Sequence, residues 1–361
     1  MQASWLSYNV GRSIKGGKAQ AADMKVAVLM GGQSGEHEVS LISGNSILEA
    51  LQSQGFETIK VVISLDGVWT LEDGREVTIL PKPSKGLWLM EENREIPVDL
   101  VFPVLHGPKG EDGTIQGLLE LASIPYVGSG VLGSACGMDK AVMKALFRDA
   151  GLPTPKTILL EEIDEVYAET EIGYPCFVKP ANLGSSVGIT KAKDRGQLRT
   201  ALEVAFQYDT RVVVEEAVKN PREIECSVLG NERLFVSIPG EIVPDDEFYT
   251  YDAKYHSEGS KLLIPAELSE DQVQTVQELA IKAFRAVGAS GLARVDFLVE
   301  GDTGKVLLNE INTMPGFTAI SMYPKLWEKT PEGYTYGKLV SELVALALER
   351  YKKRKALKIT R

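Results

Sequence analysis

Between residues 294 and 312, four polar side chains interrupt two apolar runs: Arg294 and Asp296 in RVDFLVE, Glu310 and Asn312 in KVLLNEIN. The runs flank GDTG, whose composition suits a tight turn, so the stretch reads as a β-hairpin. Side chains alternate across a strand, which puts Glu310 and Asn312 on one face. Asp296 joins them only if it stands opposite Glu310, and that requires an odd-length loop or a bulge near residues 301 to 305. Two carboxylates and an amide, without Cys or His, form an oxygen set suited to Mg²⁺ rather than Zn²⁺. The blander reading is an exposed hairpin with a polar face. Against it, Val295 and Phe297 flank Asp296, and Leu308 and Ile311 sit beside the others. Carboxylates in apolar surroundings need cationic partners, which a Mg²⁺–nucleotide complex would supply.

Three further segments have the composition of ligand loops. GGQSGEHEVS (31–40) follows the strand-like KVAVLM and leads into a helix. It is not GxGxxG, so it argues little for a dinucleotide, and Glu38 and Ser40 equally suit a helix's first turn. HGPKGEDGTIQGLLE (106–120) gathers His106 and several glycines at a strand end, with Asp112 and Thr114 placed to cap the next helix. ANLGSSVG (181–188) offers backbone N–H groups and the hydroxyls of Ser185 and Ser186, which is what a phosphate cradle requires. No GK[ST] closes it, so it is not a Walker A loop. Lys179 lies in the apolar strand just before it, an odd place for a solubilising lysine.

The elements that must carry these loops alternate. Residues 25 to 128 read as KVAVLM, a helix over 40–54, TIKVVIS, VDLVFPVL, a helix over 113–122, then IPYVG, a βαβ rhythm that implies a parallel sheet. Ligands in such sheets gather at the carboxyl ends of the strands. GSGVLGSACGMDK (128–140) is rich in Gly and Ser and reads as a hinge, followed by a helix that Gly151 and Pro153 end. RVVVEEAV and REIECSVLG read as strands, and 245–261 as a polar, aromatic-rich loop of lid character. The amphipathic helices over 269–287, with a Ser-x-x-Gln capping pattern, and over 336–352 are structural.

Length and composition set bounds. A chain of 361 residues is long for one domain, and 44% hydrophobic with 25% charged residues is ordinary globular composition. A net charge of −11 argues against a general nucleic-acid binder. The three cysteines, Cys136, Cys176 and Cys226, are far apart and suit a reducing compartment. No apolar run approaches the ~20 residues of a membrane span, and residues 1–23 lack the apolar core of a signal peptide, so they read as an extension before a start at Met24.

The D-x-L/F-V…N-E-I-N-T-x-P-G pattern resembles the metal-binding end of the ATP-grasp superfamily. G-G-x-S-x-E-x-x-V-S at 31–40, H-G-x-x-G-E-D-G-x-x-Q-G from His106, M-D-K at 138–140, the glycine loop and Y-x-Y-x-A-K-Y in the lid narrow the likeness to the D-alanine–D-alanine ligases. It runs through residues 25 to 350. The resemblance implies an α/β fold, α+β in the ATP-grasp part, in three domains: 24–128, 129–219 and 220–361. It implies ATP with two Mg²⁺ ions, or Mn²⁺ in their place, held by Asp296, Glu310 and Asn312. Lys140, Lys179 and Lys254 fall at the nucleotide phosphates with Ser185, Ser186 and Asn309; Glu215, Glu216 and Val218 fall at adenine, and Glu223 at the ribose. Glu38 and His106 belong with the first D-alanine, Ser321 and Met322 with the second. Arg294 and Gly316 face the oxyanion, and Tyr255 bonds Ser185.

The implied reaction joins two D-alanine molecules through an acyl phosphate, for a peptidoglycan precursor, in a cytoplasmic homodimer without nucleic-acid or membrane partners. Tyr255 or a substrate phosphate oxygen is a candidate base for the attacking amine. A D-alanine–D-lactate ligase, another ATP-grasp carboxylate–amine ligase and a non-catalytic nucleotide-binding regulator are the rivals. Tyr255 favours the dipeptide over the depsipeptide, and HGPKGEDG and YDAKYHS favour this family over other ligases.

Overall fold

In the computed structural model, residues 23–185, 187–243, 261–318, 320–331 and 333–358 are described. Ser186, Lys254, Tyr255, the lid segment 244–260 and the N-terminal extension up to residue 22 lie outside them.

The first sheet has strand order β3-β2-β1-β7, from β1 (Lys25–Gly31), β2 (Glu57–Ile63), β3 (Trp69–Leu71) and β7 (Leu100–Val104). β1 pairs in parallel with both β2 and β7, as the βαβ rhythm requires, and β3 adds an antiparallel edge. Strands β1 and β7 are buried along nearly their whole length, the pattern of a sheet covered on both faces. Helix α1 (His37–Ser53) covers one side, and α2 (Thr114–Ala122) follows β7. IPYVG contributes only an isolated parallel bridge, Val101 with Tyr126. A small antiparallel sheet, β4 (Val77–Thr78), β5 (Gly86–Leu89) and β6 (Arg94–Pro97), was not foreseen in the sequence.

The Gly/Ser-rich stretch expected to be a hinge contains helix α3 (Val131–Met138). Its glycines serve packing rather than freedom. A Cβ on Gly133 would stand 2.5 Å from the Gly288 carbonyl oxygen, and one on Gly137 2.8 Å from Thr313 Cγ2. Helix α4 (Lys140–Asp149) follows at once, its N-terminus capped by Asp139, which accepts from Val142 N at 2.9 Å.

Two antiparallel sheets carry the rest. One has order β10-β9-β11-β8, from β8 (Thr157–Leu160), β9 (Cys176–Pro180), β10 (Thr190–Ala192) and β11 (Val212–Glu216), with α5 (Glu165–Glu171) and α6 (Arg195–Ala205) against it. The other has order β15-β14-β12-β16-β17, with β13 (Leu234–Val236) paired to β12. Its strands are β12 (Pro221–Gly230), β14 (Gly240–Val243), β15 (Lys261–Leu263), β16 (Gly291–Glu300) and β17 (Val306–Asn312). Helix α7 (Glu270–Ala286) packs on it with the expected capping box, Ser269 and Gln272 reciprocally bonded. Helices α8 (Met322–Lys329) and α9 (Tyr336–Lys355) join this sheet to the first through one core, in which Phe102, Phe317, Tyr323 and Leu343 are at most 1% exposed. Among the described residues no helix is long and apolar enough to cross a membrane.

Candidate active site

The hairpin is β16 and β17, and its register puts Asp296 opposite Glu310 and Arg294 opposite Asn312. The irregularity that achieves this lies between Asp296 and Phe297, not near residues 301–305: Phe297 pairs with Leu308, so Asn309 is the extra residue of a bulge. The physical reason is the core. Leu308 and Ile311 are both buried, three apart, so alternation must break between them, and Asn309, Glu310 and Asn312 are left partly exposed.

Arg294 lies against Asp296, with Nε donating to Oδ1 at 2.8 Å and Nη2 to Oδ2 at 2.7 Å. Asn312 Nδ2 donates to the same Oδ2 at 2.9 Å. Glu225 of β12, opposite Asp296 on the other side, brings Oε2 within 3.0 Å of Arg294 Nε. Burial disfavours the guanidinium charge, but Asp296 and Glu225 outweigh it and hold Arg294 well above the usual arginine range. Among the described residues no three of His, Cys, Asp and Glu converge as a metal cage. The oxygen donors available are Asp296, Glu310 and Asn312, a hard-cation set.

Of these, Glu310 and Asn312 line a cleft with about 140 Å³ of free room, and Asp296 stands behind them against Arg294. Arg294, Gly316, Ser321 and Met322 line it with them, as do Lys140, Ser185 and His106. Ser321 precedes α8, and its hydroxyl accepts from Thr318 N at 2.9 Å. Lys140, at the start of α4, is buried and donates to the Leu183 carbonyl, which ties the helix to the glycine loop.

One expected residue is displaced. Glu38 is exposed on the first turn of α1, whereas Glu36 is buried at the N-cap position, lines the cleft and accepts a hydrogen bond from Ser185 Oγ. The glutamate of G-G-x-S-x-E-x-x-V-S is the sixth residue of the pattern, Glu36, and the helix begins only after it. Gly31, at φ +89°, makes the turn that feeds this loop; a Cβ there would stand 2.3 Å from the Ile63 carbonyl oxygen. Ser40 is structural, accepting from Gly31 N at 2.8 Å and donating to the Val104 carbonyl.

His106 is buried, its Nε2 3.3 Å from Ser43 Oγ, and burial keeps its pKa below the ordinary value despite the charge of Glu36. Glu111, not singled out in the sequence, also lines the cleft. Burial and the nearby Glu36 raise its pKa to about 8, although it accepts from Gly107 N at 2.7 Å. Asp112 does not cap α2 directly; it closes the preceding turn by accepting from Lys109 N and Thr114 N at 2.8 and 2.9 Å.

The expected nucleotide residues form a separate group beside the cleft. Lys179 Nζ is 2.7 Å from Glu215 Oε1, and Lys144 Nζ, missed in the sequence, is 2.7 Å from Oε2. The Glu216 side chain turns outward and accepts from Lys156 N at 2.7 Å. Val218 and Glu223 follow at the β11–β12 junction, and Glu223 alternates with Glu225 so that both face the same side of β12. Lys144 had a legible signal: the buried stripe of α4 is Lys140, Met143, Lys144 and Phe147, a helical spacing with two lysines in core positions.

Comparison with known proteins gives the family. Residues 25–129 match the family model described as "D-ala D-ala ligase N-terminus" and residues 146–345 that described as "D-ala D-ala ligase C-terminus". A D-alanine–D-alanine ligase of Heliobacterium modesticaldum is 52% identical over 91% of this chain and 96% of its own. The D-alanine–D-alanine ligase of Coxiella burnetii superposes with a TM-score of 0.83 at 36% identity, over 93% of this chain and 97% of that one. The VanG D-Ala:D-Ser ligase of Enterococcus faecalis gives 0.81 at 37% identity, over 90% of this chain and 99% of that one. The chain belongs to the D-alanine–D-alanine ligase family, with the α/β architecture of ATP-grasp enzymes.

Proposed function

We propose that the chain joins two D-alanine molecules into D-alanyl-D-alanine at the expense of ATP, through a D-alanyl phosphate. One observation carries this reading. A single cleft brings Glu36, Ser185 and Lys140 together with Arg294, Glu310, Gly316 and Ser321, groups suited to an ammonium, a phosphate, an oxyanion and a carboxylate.

Glu36 takes the ammonium of the first D-alanine, held in place by Ser185, with His106 beside it. The carboxylate of that substrate attacks the γ-phosphorus of ATP and ADP leaves. Lys140, Lys179 and Lys254 attract the phosphates, with Ser185, Ser186 and Asn309 around them. Glu215, Val218 and the backbone of Glu216 meet adenine, and Glu223 the ribose hydroxyls. Ser321 and the Met322 N–H hold the carboxylate of the second D-alanine, whose free amine attacks the acyl carbon. Arg294 and the Gly316 N–H receive the oxyanion, and the tetrahedral intermediate collapses with loss of phosphate. Asp296, Glu310 and Asn312 offer the oxygen donors that fit Mg²⁺ or Mn²⁺, two ions on this reading, which neutralise phosphate charge when bound. The family likeness assigns Tyr255, which lies outside the described residues, a hydrogen bond to Ser185.

The proposal extends to domains at 24–128, 129–219 and 220–361, and to a cytoplasmic homodimer supplying a peptidoglycan precursor. The deciding experiment is phosphate release from Mg-ATP with D-alanine alone, or mixed with D-lactate or D-serine, with products identified by mass. D-Alanyl-D-alanine as the main product supports the reading. A mixed depsipeptide or D-alanyl-D-serine as the main product overturns the second substrate, and no turnover in any mixture overturns the reaction.

A further inference from the structure

Glu225 is a buried carboxylate in the cleft to which neither the proposed reaction nor any expected site residue gives a role. The register places it in a row across three strands: Glu225 on β12 opposite Asp296 on β16, and Asp296 opposite Glu310 on β17. Side chains of cross-strand neighbours lie on one face, so the three carboxylates form a row on one face of the sheet rather than a cage. Arg294, one row along, reaches back to two of them: its Nε–H donates to Asp296 Oδ1 at 2.8 Å, and Glu225 Oε2 stands 3.0 Å from the same nitrogen as an ion pair.

The two carboxylates do not hold the guanidinium on equal terms. Asp296 commits both oxygens to Arg294 and one of them to Asn312 as well. A cation on the Asp296–Glu310–Asn312 set draws on those same oxygens and weakens their hold on Arg294. Glu225 stands on the far side of β16 from Glu310, two strand spacings or roughly 9.6 Å away at the backbone. It is therefore placed to keep its contact with Arg294 whatever Asp296 does.

We propose that Glu225 is a positioning residue: it anchors Arg294 in the cation-loaded enzyme, so that the guanidinium stays aimed at the oxyanion while Asp296 serves the metal. This rests on the reading of Arg294 given under Proposed function. It differs from a third metal ligand, a role the row of carboxylates would also suggest. Residues that orient a functional group without touching substrate typically cost about 10–100-fold when altered.

The test uses the full chain and three variants, Glu225→Gln, Glu225→Asp and Arg294→Met, with the double variant Glu225→Gln/Arg294→Met. Mn²⁺ binding in the presence of ADP is followed by electron paramagnetic resonance, and kcat and KM by phosphate release. Glu225→Gln is expected to lower kcat about 10–100-fold while leaving KM for ATP and Mn²⁺ affinity within about threefold, and Glu225→Asp to recover part of kcat. In the Arg294→Met background the Glu225 change should add nothing, since its effect passes through the lost guanidinium. A drop in Mn²⁺ affinity of tenfold or more in both Glu225 variants would make Glu225 a ligand and overturn the proposal. Additive kcat losses in the double variant would overturn it too. Arg294→Met with near-normal turnover would instead sink the reading of Arg294 itself. Should Glu225→Gln fail to fold, Glu225→Asp keeps the charge, and its Mn²⁺ affinity and kcat decide alone.

Discussion

Glu215 is 2% exposed and shared by two lysines, Lys144 and Lys179, each 2.7 Å from a different carboxylate oxygen. Burial alone would raise its pKa; the two ammonium groups outweigh burial and hold it at about 2, against an ordinary 4.5. That depression corresponds to about 3 kcal/mol of stability, present above the unfolded carboxylate's pKa and lost as the pH falls towards the folded one. Glu215→Gln keeps the shape and deletes the charge, so two buried ammonium groups face a neutral amide. Breaking a buried pair from one side costs about 3–5 kcal/mol. Lys144 caps the loss: burial already holds its pKa below the ordinary 10.5, with Lys179 opposing Glu215, so it sheds its proton first. A lysine with a depressed folded pKa destabilises the fold at low pH and ceases to do so above its unfolded value. The gap between wild type and variant should therefore be widest in the window above the unfolded carboxylate's pKa and below the pH at which Lys144 discharges. It should narrow above that as Lys144 discharges, and below it as wild-type Glu215 protonates. Urea unfolding at about pH 4, 7 and 10, followed by circular dichroism, measures the gap. A gap under about 1 kcal/mol at neutral pH, or one equal at neutral and alkaline pH, refutes the reasoning.

Three further outcomes follow from the site. Glu36→Gln should raise KM for D-alanine about tenfold or more, while Glu38→Gln stays within about twofold, as initial rates over a D-alanine series would reveal. Arg294→Met should lower kcat about 10²–10³-fold; its melting temperature should also fall, because Glu225 and Asp296 lose their shared cation. Chelation with excess EDTA should abolish phosphate release yet leave the far-ultraviolet spectrum unchanged, since the core clusters are apolar and contain no part of the hairpin's charged row.

The hairpin, the parallel sheet, the capping box of α7 and the long terminal helix were legible because each rests on local periodicity or capping. The bulge was half legible. Apolar residues at 306, 308 and 311 change their spacing from two to three, and that step marks Asn309, whereas the turn composition of 301–305 carries no irregularity. Glu36 and Glu38 both suit a helix start, but the spacing of G-G-x-S-x-E-x-x-V-S points to Glu36, and the first helical turn, which begins after it, agrees. Helix α3 was hidden by composition: its glycines looked like hinge residues, whereas contacts with Gly288 and Thr313, far away in sequence, are what demand them. Lys144 and Glu225 illustrate the remaining gap. Each is a charge in a buried position, and no local pattern says that the strand carrying its partner lies beside it.

The distribution of charge explains why the site needs all its parts. On the hairpin face three carboxylates, Glu225, Asp296 and Glu310, stand around one guanidinium, so the face as a whole is acidic. Across from it the balance reverses: Lys144 and Lys179 share the single carboxylate of Glu215, and Lys140 stands at the glycine loop. A bare polyphosphate would be drawn to the lysines and repelled by the hairpin. A bare cation would meet Asp296 with both oxygens already engaged by Arg294. A polyphosphate carrying its own cations satisfies both faces at once, anion to lysine and cation to carboxylate. On this reading the acidic hairpin face on one side, and the lysines of α4 and β9 on the other, hold opposite charge so that the metal–nucleotide complex binds as a unit, and selectivity for ATP over a free metal or free nucleotide is built into the spacing between them.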